Sequence, residues 1–270
     1  MVAVENVAFV FVAGLLTALA TGLGAIPFFL VDEFSDRWNV LLWGLASGIM
    51  VAASLFGLVR EGLAYGSALL MVPGILAGVV LVVVAHRVLD DFDHSPKQFE
   101  QADFTKLLLI LGILTVHSFP EGVAVGVSFA ELGLESATPD SAVGILGVSV
   151  PLLAVFMTVA ISIHNIPEGT AIAIPLRSLG VSEPKMVWWA VFSSLPQPVG
   201  AVIAYYFVTL AKAFLPFGFG FAAGAMVSLV LTEFVPEALE YGDGLPGGGK
   251  RELTAGVAIG VLAMVPLAFV

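Results

Sequence analysis

Two stretches of this chain place a histidine and a glutamate one helical turn apart. The first is His117-Ser118-Phe119-Pro120-Glu121-Gly122, and the second is His164-Asn165-Ile166-Pro167-Glu168-Gly169. Residues at i and i+4 lie on one face of an α-helix. Each stretch can therefore present an imidazole and a carboxylate side by side. Neutral imidazole nitrogen and carboxylate oxygen are good ligands for zinc and similar divalent ions. Two such helices facing each other would supply four ligating groups: His117, Glu121, His164 and Glu168. The chain has no cysteine, so disulfides, thiolate metal sites and cysteine nucleophiles are excluded. Any metal must be held by nitrogen, oxygen or thioether ligands. In the bland reading each histidine only braces the helix bundle through its glutamate. That reading serves a single pair better than two matching ones.

The proline in each motif adds a second feature. It carries no backbone N–H, so the carbonyl four residues earlier loses its helical partner and the helix is expected to bend. The freed carbonyls are those of Val116 and Ile163. At membrane depth such groups must be buried in protein or line a wet cavity.

The elements that must hold these pairs are long apolar helices. Hydrophobic residues make up 59% of the 270 and charged residues only 11%, against roughly 25% charged in soluble domains. Mean hydropathy is +1.04. With about 20 apolar residues per membrane crossing, eight candidate spans are predicted. They run from Val7 to Val31, Val40 to Val59, Ser67 to Leu89, Leu107 to Ala130, Leu146 to Leu176, Met186 to Leu210, Phe214 to Leu239 and Leu253 to Val270. The first span lacks a basic flank, follows Glu5 and exceeds a secretory core in length, so it is read as a retained helix. The expected fold class is an all-α integral membrane protein of eight transmembrane helices, arranged 3+2+3.

Basic residues orient the spans. With the N-terminus outside, the inner loops hold Arg37, Arg87, Lys97, Lys106, Arg177, Lys185, Lys250 and Arg251, and the outer loops hold Arg60 and Lys212. This is a positive-inside bias, with both termini outside. The net charge of -11 argues against nucleic acid as a partner. Acids such as Asp32-Glu33 and Asp90-Asp91-Phe92-Asp93 read as a solvated surface or as a cation-attracting vestibule. The Asp90-to-Thr105 connection, with His94, is the longest polar loop. Residues Gly242 to Gly249 read as a flexible turn. Trp188 and Trp189 suit an interfacial anchor, and Gly220 and Gly224 form a pair that permits close helix packing. His86 reads as an interfacial side chain, with an exit-ligand role as the other possibility.

Ionisable residues inside spans usually face a partner or a water-filled path. A His-Glu-x-x-His protease motif and a Gly-x-Ser-x-Gly nucleophile elbow are both absent. Two other classes stay open: a metal-dependent membrane enzyme, and a cation-coupled carrier of a small organic solute. The second would need charged groups for an organic head group, and no span interior holds Arg or Lys. Nothing indicates a catalytic cofactor or a nucleotide-binding loop.

The paired motifs resemble the fourth and fifth membrane helices of the ZIP (Zrt/Irt-like) metal transporters, most closely the prokaryotic GufA-like branch. The resemblance extends to Ala46-Ser47-Gly48-Ile49-Met50-Val51-Ala52-Ala53-Ser54 in the second span. It extends also to Gly220-Phe221-Ala222-Ala223-Gly224-Ala225-Met226 and Glu233-Phe234-Val235-Pro236-Glu237 in the seventh. It implies a single transporter domain over 1–270 in the cell membrane, often a homodimer, moving zinc, iron, manganese or cadmium towards the cytoplasm. It implies a primary site of His117, Glu121, His164 and Glu168; Met50 matches a thioether ligand that some relatives contribute from the second helix, with ordinary core packing as the other reading. Some relatives hold a second metal with ligands where this chain has Ser118, Asn165 and Gln197. These three are neutral, so one strong site and a weak or absent second are expected. Glu233 and Glu237 read as part of an exit path or as a solvated helix end, with Thr232 standing where the family often has histidine.

Overall fold

The computed structural model describes residues 4–30, 35–65, 68–90, 118–130, 132, 142–145, 147–178 and 180–266. His117, residues 91–117 and Asp32-Glu33 lie outside this set, as does the side chain of His86. The expectations placed on His117, His94, Lys97, Lys106 and His86 therefore fall outside the described residues.

Helix α1 spans Val4–Leu23 and is followed by a 3-10 turn, Ile26–Phe29. Helix α2 begins at Asp36 and continues to Ala64, with a π-helical stretch at Ala53–Val59. Helix α3 is Ala68–Asp90, and α4 covers 118–128. A two-stranded antiparallel hairpin follows, β1 Ala142–Ile145 and β2 Val148–Pro151. Helix α5 is Leu152–Ser178. Helix α6 is Glu183–Ser193 and Pro196–Leu210, joined by a turn. Helix α7 is Leu215–Leu229, π-helical Val230–Phe234 and Val235–Gly242. Helix α8 is Lys250–Ala263. Among the described residues, six segments, α1, α2, α3, α5, α6 and α7, are long and apolar enough to cross a membrane.

The helix edges differ from the hydropathy reading in physically simple ways. The fifth span was expected to start at Leu146, but 148–151 pair as a strand with 142–145. Gly147, at φ +81°, makes the tight reversal that an L side chain resists. The helix begins only at Leu152. The expected turn before α8 holds Gly247, Gly248 and Gly249, all in the left-handed region with φ between 64° and 75°. Three consecutive residues in that region need glycine.

Apolar faces point outward. Leu69, Val72, Leu76, Val80 and Val84 form an exposed stripe along α3, and Val199, Ile203, Tyr206 and Leu210 do the same on α6. Such stripes suit lipid rather than water. The interior, by contrast, buries Thr17, Thr21, Ser47, Ser54, Glu121, His164, Asn165, Glu168 and Gln197.

Close backbone approach replaces hydrophobic burial as the packing device, as expected where the solvent is itself apolar. Helix α2 packs on α8 and α3 on α7. A side chain at Gly48 would collide with the carbonyl of Val257, and one at Gly220 or Gly224 with the carbonyls of Met71 or Ile75. The second group holds α1, α4, α5 and α6. Helix α1 packs on α5 and α6, and Gly122 and Gly126 of α4 lie against the carbonyls of Gln197 and Ala201. The two groups meet where α2 faces α5 and where Phe234 of α7 stacks on His164, with ring centroids 5.1 Å apart.

Candidate metal centre

Helix α5 runs unbroken through Pro167, so His164 and Glu168 share one face of it. Helix α4 brings Glu121 opposite. His164 Nε2 lies 3.0 Å from Glu121 Oε1, and both side chains are fully buried. One ligating atom from each of Glu121, His164 and Glu168 lies within 4.8 Å of the others.

This arrangement is expensive as it stands. A buried carboxylate needs hydrogen bonds or a counter-charge. Both oxygens of Glu168 and Nδ1 of His164 have no hydrogen-bond partner among the described residues. A divalent cation would offset these costs together. Tetrahedral zinc with bonds of about 2.0 Å sets its nitrogen and oxygen ligands about 3.3 Å apart. The observed nitrogen–oxygen separation is already near that value.

The neighbours fall into two sets. Asn165 and Gln197 are buried and tied to the pocket: Asn165 Nδ2 donates to Gln197 Oε1 at 3.0 Å and to the Thr17 carbonyl at 2.7 Å. Gln197 Nε2 donates to Glu121 Oε2 at 2.6 Å. Ser118 is buried at the start of the described part of α4. Met50 is fully buried on α2, the helix that faces α5. Glu233 lies half-buried in the π-helical stretch of α7, beside Phe234, and Glu237 follows one turn on, also half-buried. Thr232 bonds to the Ser228 carbonyl at 2.9 Å.

Sequence reasoning missed four parts of this neighbourhood. Phe234 stacks on His164 and also meets Trp43 at 4.9 Å, forming an aromatic wall. The π-helical stretches in α2 and α7 carry no compositional signal. Thr17 enters through a backbone carbonyl, which no residue type announces. Thr21 Oγ1 donates to Ser194 Oγ at 2.8 Å, closing α1 onto the turn within α6.

Apolar helical spans around a buried cluster of imidazole and carboxylates that could hold a metal ion define a polytopic membrane protein. Comparison with known proteins makes that class specific. Residues 142–268 match the family model described as ZIP Zinc transporter. The zinc transporter GufA of Myxococcus xanthus is 35% identical over 267 residues, covering 94% of this chain and 96% of that protein. A zinc transporter ZupT of Corynebacterium aurimucosum is 31% identical over 256 residues, covering 88% and 90%. An Arabidopsis thaliana protein provisionally named a zinc transporter is 42% identical over 224 residues. That match takes in 83% of this chain, which spans only 33% of the plant protein. The chain belongs to the ZIP zinc transporter family.

Proposed function

We infer that this chain is a transporter, not an enzyme, and that it moves divalent transition-metal ions across a membrane, zinc foremost. The observation that carries the reading is the cluster of Glu121, His164 and Glu168, two of whose carboxylate oxygens have no described partner. Family membership and relatives named as zinc transporters support the same reading.

In this reading Glu121, His164 and Glu168 bind the metal directly, and His117 completes the set from one turn before Glu121. Met50 adds a thioether from α2. The two carboxylates of Glu121 and Glu168 neutralise one dication. Asn165, Gln197 and Ser118 are neutral and leave a second ion poorly compensated. Glu233 and Glu237 lead the ion towards the cytoplasm. Iron(II), manganese and cadmium are further cargo, since imidazole and carboxylate suit them as well. The single domain extends over 1–270 with eight crossings, read as 3+2+3 in chain order and with both termini outside. It sits in the plasma membrane as a homodimer. The group α1, α4, α5 and α6 moves against α2, α3, α7 and α8, exposing the site to each side in turn.

The test is zinc uptake into proteoliposomes, with iron, manganese and cadmium as competitors. Saturable zinc uptake inhibited by these ions is expected. Vesicles with the protein that take up zinc no faster than empty ones would overturn the reading.

A further inference from the structure

The hydrogen bonds around Gln197 form a chain with one possible direction. The Thr17 carbonyl can only accept, so the group of Asn165 that faces it at 2.7 Å must be the amide NH2. The same NH2 faces Gln197 at 3.0 Å, so Gln197 presents its oxygen there. The NH2 of Gln197 is thereby turned to Glu121 Oε2, at 2.6 Å. Thr17, Asn165, Gln197 and Glu121 are all buried, and the chain links α1, α5, α6 and α4. No rotamer choice along it is left free.

Glu121 therefore enters the site with its two oxygens in different states. Oε2 is held by a donor, while Oε1 faces His164 at 3.0 Å. We propose that Gln197 is a specificity-determining residue that holds Glu121 as a one-oxygen metal ligand. The inference rests on the transport reading above. A carboxylate limited to one oxygen suits zinc, which favours four ligands. Larger ions gather six or more oxygens and use both oxygens of a carboxylate. Withholding Oε2 lowers the donor count and so disfavours ions such as manganese. Gln197 acts here as a positioning residue, since both its amide atoms are already engaged.

The test compares manganese and zinc uptake by proteoliposomes holding the wild type or Gln197→Met, which keeps the size and removes the amide. The expected result is a manganese-to-zinc uptake ratio about 10-fold higher in the variant, the scale on which a partner of a ligand tunes a metal site. General damage to the fold would lower both rates and leave their ratio in place. Wild-type uptake of zinc with an unchanged ratio in the variant would overturn the specificity role while leaving the transport reading standing. Wild-type protein that carries neither ion would remove the transport reading itself. Should the variant not reach the membrane, the structure of zinc-loaded wild type decides. Zinc bonded to Oε1 alone, with Gln197 still on Oε2, is expected. Zinc bonded to both oxygens of Glu121 would overturn the proposal.

Discussion

His164 Nε2 and Glu121 Oε1 stand 3.0 Å apart, although 43 positions separate the two residues along the chain. The contact joins α5 to α4 inside a bundle whose outer faces are apolar. Phe234 covers the imidazole face, and Gln197 occupies the second carboxylate oxygen. Among the described residues, both oxygens of Glu168 and Nδ1 of His164 are buried without a partner.

Loss of a ligating group should therefore show in transport before it shows in folding. His164→Ala and Glu168→Gln are each expected to cut zinc uptake at micromolar zinc by more than about 10-fold, the cost that even an indirect partner of a metal can carry. Both variants should still be recovered from the membrane fraction at wild-type levels. Near-normal uptake by both would reject the assignment of these residues as ligands.

The fold divides into what apolar runs reveal and what close contacts reveal. The long spans were legible because twenty-residue apolar runs have few other uses. The paired His-x-x-Pro-Glu-Gly motifs marked Glu121, His164 and Glu168, and the i, i+4 rule put each pair on one face. That α4 and α5 would turn those faces towards each other does not follow from either helix alone. It depends on Gly122 and Gly126 admitting α6, and on Gly169 admitting α1. The start of α5 was misplaced because the apolar run 146–151 was read as helix, although Gly147, the β-branched Val148 and Val150, and Pro151 all argue against one. The π-helical turns at Ala53–Val59 and Val230–Phe234 and the role of the Thr17 carbonyl have no residue signature.

Proton competition gives a second prediction. Metal ligation needs imidazole in its neutral form and carboxylate in its charged form, so binding releases protons. Acidification adds protons to the free site and must weaken the metal. Zinc affinity, measured by equilibrium binding to detergent-solubilised protein, should fall on the order of 10-fold between about pH 7 and 5, since imidazole in water titrates near pH ~6.5. An affinity that stays flat over that range would contradict histidine ligation.

Helix packing offers a third. A methyl at Gly169 would overlap the carbonyl of Thr21, a rigid backbone atom. Gly169→Ala should force α1 from α5 and destabilise the protein by about 1–3 kcal/mol, the usual cost of overpacking. It should lower the thermal midpoint in detergent and reduce uptake with it. Gly244→Ala is the control, because nothing lies within 4 Å of the added carbon. Equal midpoints for the two variants would contradict the close approach of α1 and α5.

The neutral character of Ser118, Asn165 and Gln197 yields a fourth. Two dications side by side repel strongly in a medium of low dielectric constant, and the two carboxylates Glu121 and Glu168 balance only one. At micromolar free zinc, one tightly held ion per chain is expected in the central cavity. Gln197→Glu adds a carboxylate and should strengthen a second, adjacent site. Metal content by elemental analysis after equilibrium dialysis checks both statements, and two tightly held central ions in the wild type would contradict the charge argument.

The central claim is that the cation sits between α4 and α5, and the most direct measurement is diffraction at the zinc absorption edge from zinc-soaked crystals. An anomalous peak within about 2 Å of His164, Glu121 and Glu168 atoms, the length of a zinc–ligand bond, is expected, and its loss in Glu168→Gln. An anomalous map with strong peaks elsewhere on the wild-type chain and none in this cluster would contradict it.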